Sequence, residues 1–332
     1  VSGHDFAVVS LRGDVPRFDP ASDDSVGPFR QLVVDPGLGP AALIEAIAEA
    51  EIATPWILVA AHDDGGLAEE LVGRIVGGAI GVFGLAGVVL DGGEVPDGIR
   101  RHEVPAARAT EDVAATVRSL AADIVARGPR IPETWARVIA SSRTDVVVRA
   151  TLARRALVDD PDYRPTALTA GQLVLLRDVA RRVVPQGDGP TIDLAARLDR
   201  VIEAGESDGW RPTGMSTDVE AYRAGLDALA AIWMRGSAAQ DAVIRRVIDG
   251  EASSGTVLTP DQLSLWFEDA RNDLVRVWLS HPASLARVGY TGFATGGTGA
   301  EPAGYLVLAA GEREEWEPEE LGRLGAAKGR TA

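Results

Sequence analysis

The sequence predicts an α/β N-terminal module followed by an all-α helical domain, and three observations carry that expectation. Short apolar runs alternate with amphipathic stretches up to about residue 105. A 3.6-residue apolar period then takes over, and the later helices open on capping signatures. With 332 residues, 46% hydrophobic and 25% charged, the chain is long enough for about two packed domains.

In the first module, residues 1–105, Phe6–Leu11 and Gln31–Asp35 read as strands. Residues 40–51 read as a helix that puts Leu43, Ile44 and Ile47 on one face. Trp56–Ala61 reads as a buried strand, Leu67, Leu71, Val72, Ile75 and Val76 as a helical stripe, and Gly87–Leu90 as a further strand. This alternation indicates a parallel or mixed sheet. A helical connector, 106–164, begins behind Thr110-Glu-Asp and continues near 132–141 and 145–158. The polar loop Asp159-Asp-Pro-Asp-Tyr-Arg-Pro165, broken by two prolines, reads as the linker between domains.

The helical domain, 165–311, shows three candidate capping boxes: Thr169-Ala-Gly-Gln172, Thr217-Asp-Val-Glu220 and Thr259-Pro-Asp-Gln262. Their helices would bury Leu173, Leu176 and Val179; then Tyr222, Leu226 and Leu229; then Leu263, Trp266 and Leu274. Val243, Ile244, Val247 and Ile248 mark one more helix. The echo between Leu168–Leu173 and Leu258–Leu263 reads as one capping solution used twice rather than a repeat. After Ser280-His-Pro282 the chain turns glycine- and aromatic-rich, and an acidic tail, 312–332, closes it. Tyr290, Phe293, Tyr305 and Trp316 in this region are the expected partner interface.

Composition narrows the chemistry. There is no cysteine, which removes disulfides, thiolate metal sites and cysteine nucleophiles. Four histidines, His4, His62, His102 and His281, are not spaced as zinc ligands on a helix. The net charge of −16 is spread over both halves and Lys328 is the one lysine, so nucleic acid is a poor partner. The longest apolar run, Ala79 to Leu90, is shorter than the ~20 residues of a membrane span. No signal peptide is visible at the N-terminus as given, so the chain is expected to be cytoplasmic, with export alongside a partner left open.

Candidate sites are few. Asp63 and Asp64, in the turn His62-Asp-Asp-Gly-Gly66 after a strand, could hold a metal, as carboxylates do at strand ends of α/β folds. The reading favoured over it is a polar loop that caps the next helix, since no third ligand can be identified. Gly37-Leu-Gly39-Pro lacks the Gly-Lys-Ser/Thr of a phosphate loop, and Asp91-Gly-Gly-Glu94 reads as a turn. His281 reads as helix-stop chemistry favoured by the helix dipole, and Trp233, Trp266 and Trp278 fall at core spacing. No catalytic set can be assembled, and no cofactor site is expected in this chain.

The helical domain nevertheless resembles a family. Leu168-Thr-x-x-Gln172-Leu, continuing through Ala180-x-x-Val-Val-Pro185 to Asp188-Gly, is similar to the opening of the gluconate 2-dehydrogenase subunit 3 family. Ala221-Tyr-Arg-Ala-Gly-Leu226 and Gly289-Tyr-Thr-Gly-Phe293 resemble its later motifs, over about residues 165–318 in all. The resemblance implies a non-catalytic small subunit that stabilises a flavin-dependent dehydrogenase of the glucose–methanol–choline type, acting on a sugar or sugar-derived hydroxyl. FAD would then sit in the partner. The N-terminal half looks like the start of a nucleotide-sugar glycosyltransferase domain, which implies a sugar-processing enzyme using the His62-Asp63-Asp64 turn. Gly65-Gly66 and Gly87–Gly93 are similar instead to the fold of hydroxy-oxo-acid aldolases and ribonuclease regulators. A protein-interaction scaffold is the third expectation.

Overall fold

The computed structural model describes residues 6–11, 29–33, 38–49, 56–59, 65–76, 85–90, 100–103, 115–120 apart from 118, 128–129, 131–205 apart from 142, and 217–293, with single positions at 307, 309, 312, 314 and 317. Two compact units emerge. One comprises Val1–Val158 together with His281–Ala332, and the other Asp159–Ser280. The α/β half and the helical half are both present. The segment after Ser280, expected to complete the helical domain, belongs with the N-terminal unit.

The first unit is built on five parallel strands: β1 (Phe6–Ser10), β2 (Phe29–Val33), β3 (Trp56–Val59), β4 (Leu85–Leu90) and β5 (Arg100–Glu103). They lie in the order β2-β1-β3-β4-β5. Helix α1 (Pro40–Glu49) carries the chain from β2 across β1 to β3, and α2 (Gly65–Val76) carries it from β3 to β4. Both crossovers run the same way along the sheet, so right-handed connections bring α1 and α2 to one face, where they touch. Every residue of β3 is buried, as expected for a central parallel strand covered on both sides. Leu43, Ile44, Ile47, Leu71 and Val72 are the buried helix positions the periodicity indicates. β5 is the strand without a sequence signature: Arg100-Arg-His-Glu103 has no apolar alternation, and its pairing to β4 alone reveals it.

Two further helices, α3 (Glu133–Ala140) and α4 (Val146–Arg155), join this unit. Asp145 caps α4 by accepting from the Val147 and Val148 amides. Trp135, Ile139 and Leu152 form a small core with Ala286 and Phe293, which explains why the post-280 segment belongs here.

The second unit is a helical bundle: α5 (Ala170–Val183), α6 (Leu194–Ala204), α7 (Asp218–Ala230), α8 (Ser237–Ile248) and α9 (Pro260–Ser280). The faces foreseen for α5, α7 and α9 are buried, with Leu176, Leu226, Leu229, Leu263 and Leu274 fully enclosed. Trp266 lies in this core as expected, and Phe267 beside it is equally buried. Gly225 on α7 lets α9 approach closely, since a Cβ there would fall 2.1 Å from the Trp266 ring. The capping boxes form at Thr169–Gln172 and Thr259–Gln262, each closed by reciprocal bonds of 3.2 and 3.0 Å. Thr217 departs from expectation, because its side chain makes no cap bond. Helix α6 carries signals that the apolar count passes over: an Asp193 cap, a Leu194–Leu198–Ile202 stripe and a left-handed Gly205 at its end.

Candidate functional site

In open parallel sheets, ligands collect beyond the carboxyl ends of strands at the point where the order of connection reverses. Here that point lies between β1 and β3. Their carboxyl ends are in register, Ser10 opposite Val59, and the Leu11 amide extends the pairing with a 2.9 Å bond to the Val59 carbonyl. Ser10 is fully buried at this edge. Asp63 and Asp64 lie outside the described residues, in the segment that joins β3 to α2. Among the described residues no three His, Asp or Glu side chains converge as metal ligands do, and no helix is long and apolar enough to cross a membrane.

The expected partner interface divides. Phe293 is buried against Trp135, Ile139 and Leu152, so its ring belongs to a core rather than to an open surface. Tyr290 is 51% exposed and leans over Gly292 toward Phe293. Its carbonyl accepts from the Trp135 indole at 3.3 Å. Tyr305 and Trp316 lie outside the described residues.

His281 follows the end of α9 at Ser280 as expected, but its ring has another task than to meet that helix's dipole. A short helix, α10 (Pro282–Arg287), follows it, and His281 Nδ1 accepts from the Ala283 amide at 3.1 Å. An imidazole nitrogen that accepts carries no proton, so the ring acts as an N-cap and not as a cation on the preceding helix. Beyond α10, Gly289 turns the chain at a φ of 71°, and the Tyr290 amide closes on the Leu285 carbonyl.

Among the described residues the helical unit holds the densest polar chemistry, at positions that hydrophobic patterning does not flag. Asp199 on α6 is fully buried. It accepts from the Tyr163 hydroxyl at 2.6 Å, the Thr166 amide at 2.7 Å, the Thr166 hydroxyl at 3.2 Å and the Leu168 amide at 2.7 Å. Three of the donors converge on Oδ2 and the Leu168 amide takes Oδ1, so the carboxylate is committed to anchoring a loop. Its signal is a charge set on the apolar stripe of α6. Asp159 pairs with Arg197 at 2.6 Å and accepts from the Asp193 amide at 2.8 Å. Asp193 in turn caps α6 and holds Arg177. The loop expected to be the linker between domains is thus tied down through its own acidic residue Asp159.

These surroundings move the titrations. Burial raises the Asp159 carboxyl above its ordinary value, outweighing the attraction of Arg197. Burial, and then the bond to Asp199, push the Tyr163 phenol up to about 12. Tyr222 on α7, buried edge-on against Trp266, donates to Asp273 of α9 at 2.6 Å. Burial and the Asp273 charge raise its phenol well above the usual range. Arg223 next to it clamps the Ala167 carbonyl. The Tyr-Arg-x-Gly run at 222–225 is therefore a fold-locking element.

Comparison with protein-family models, with curated proteins and with solved structures finds no match to this chain.

Proposed function

We propose that the chain is an accessory binding subunit whose helical unit stabilises a flavin-dependent oxidoreductase of the glucose–methanol–choline type. That partner would hold FAD and oxidise a sugar or sugar-derived hydroxyl. The observation that supports this reading is the employment of the motif residues. Thr169 and Gln172 cap α5, Arg223 and Tyr222 tie α7 to a loop and to α9, and Gly225 admits Trp266. Side chains of this kind define a rigid frame, and a rigid frame presents its outer surface to a partner with little ordering cost.

Co-expression with a flavoprotein encoded beside this chain is expected to yield a co-purifying, yellow complex. Full stability and activity of that flavoprotein without the chain would overturn the proposal. Tyr290→Ala is expected to weaken the complex if the exposed ring belongs to the interface, and it keeps the buried Phe293 intact.

The strand order favours a second reading, a sugar-processing enzyme, because His62, Asp63 and Asp64 follow in sequence on β3, whose carboxyl end borders the reversal point. Calorimetry with Mn²⁺ or Mg²⁺ and nucleotide sugars separates the two. Saturable binding that disappears in Asp64→Ala would favour the enzyme.

A further inference from the structure

A groove of about 650 Å³ runs between α5, α8 and α9 of the helical unit. Three arginines, Arg182, Arg245 and Arg271, line it together with one carboxylate, Asp241. Arg182 is committed: its Nε and Nη2 hold both oxygens of Asp241 at 2.8 and 2.5 Å. Arg245, one turn beyond Asp241 on α8, is exposed and makes no ion pair among the described residues. Arg271 faces the groove from α9, and its Nε is shielded from solvent without an acceptor. Two guanidinium groups therefore make no ion pair among the described residues, in a chain of net charge −16.

The groove is also apolar. Val183 and Ile244 line it, and Ile248 and Val275 remain 43% and 39% exposed along it. Cationic groups beside an apolar trough form a composite surface. Guanidinium forks bind carboxylates through paired, charge-assisted hydrogen bonds, and the trough accepts an aliphatic or aromatic anchor. A nucleic-acid strand would need a longer basic track than two unpaired arginines. An open trough suits an extended chain segment better than an enclosed metabolite.

We propose that this groove docks an acidic protein segment carrying an apolar anchor residue, with Arg245 and Arg271 gripping its carboxylates. The proposal rests on the reading of the chain as a binding subunit, though not on the partner being a flavoprotein.

The test uses the full chain and a fluorescein-labelled synthetic peptide, Glu-Glu-Leu-Glu-Glu-Leu-Glu-Glu, read by fluorescence anisotropy. Saturable binding that weakens with salt is expected, with a loss of at least about tenfold in Arg245→Glu and more in the double variant with Arg271→Glu. Arg245 is exposed, so the single variant tests the groove even if the double variant fails to fold. Arg181→Glu makes the same charge change outside the groove lining, at a residue paired with Asp178, and is expected to bind as the parent does. Absence of saturable binding, or an equal loss in Arg181→Glu, would overturn the proposal. Complete displacement by millimolar inorganic phosphate would do so too, making the groove a simple anion site. A flavoprotein complex that forms with the parent chain and survives Arg245→Glu, while the peptide fails to bind even the parent, would remove the groove and spare the subunit reading. Peptide binding without any flavoprotein complex would do the reverse.

Discussion

Two tyrosine–aspartate pairs stabilise the helical unit through hydrogen bonds of the same length, 2.6 Å, in opposite settings. In the first, the aspartate is the buried hub: Asp199 is fully enclosed and gathers donors from the loop, while the Tyr163 ring stacks under Arg200 with 4.3 Å between guanidinium and centroid. In the second, the tyrosine is buried and the aspartate lies at the rim, where Asp273 keeps 31% of its side-chain surface and also meets Arg276. One pair fixes a loop to a helix and the other fixes a helix to a helix. Chemical identity therefore does not set the importance of each member. Burial and the number of donors do.

The sharpest test exchanges the two aspartates. Asp199→Ala strands the Tyr163 hydroxyl and two backbone amides, each costing about 1–3 kcal/mol when buried without a partner. A loss of about 3 kcal/mol or more is expected. Asp273→Ala, at the rim where water can replace the carboxylate, is expected to cost about 1 kcal/mol. Chemical denaturation gives both values, and hydrogen exchange should show Asp199→Ala loosening residues 159–168 while β3 stays protected. Equal losses would break the distinction between hub and rim.

Titration sharpens the comparison from the tyrosine side. Both phenols have folded pKa values above the ordinary 10.0, Tyr163 at about 12 and Tyr222 higher than the usual range. The folded state thus prefers the protonated phenol. Its contribution is fully present below pH 10 and is lost as pH rises from 10 toward the folded values. The helical unit is expected to lose stability across pH 10–12, with phenolate absorbance rising as helical circular dichroism falls. Tyr222→Phe should flatten this loss more than Tyr163→Phe, because Tyr222 is the more deeply buried ring. A stability flat over that window in the parent protein would contradict both bonds.

The same contrast explains what could be read ahead of the structure. Helix faces are local, so Leu173, Leu226 and Trp266 reveal themselves by spacing within one element. Asp199 does not, because its donors lie some thirty positions earlier in the chain, and a lone Asp on a stripe looks like a surface residue out of place. β5 is hidden for a related reason: a parallel strand is defined by its neighbour, and Arg100–Glu103 has no pattern of its own. The burial of Phe293 is hidden too, since an aromatic among glycines shows no spacing and the Trp135 and Leu152 of its core lie far back in the chain. The groove arginines carry no sequence signal at all, as they come from three helices.

The smallest effect concerns how the two regions begin. The loop held by Asp199 runs directly into Thr169, which completes a capping box, whereas α7, the helix of Tyr222, starts at Thr217 with no side-chain cap bond. Removing an N-cap hydroxyl that accepts from the first turn costs about 1 kcal/mol. Thr169→Ala is therefore expected to lower stability by about that much, and Thr259→Ala by a similar amount, since its box has the same two distances. Thr217→Ala should fall within about 0.5 kcal/mol of the parent, as a surface change away from such features does. The three substitutions are chemically identical, so composition cannot separate them. A cost at Thr217 equal to that at Thr169 would mean that α7 is capped after all, and that its anchorage does not depend on Tyr222 and Arg223 alone.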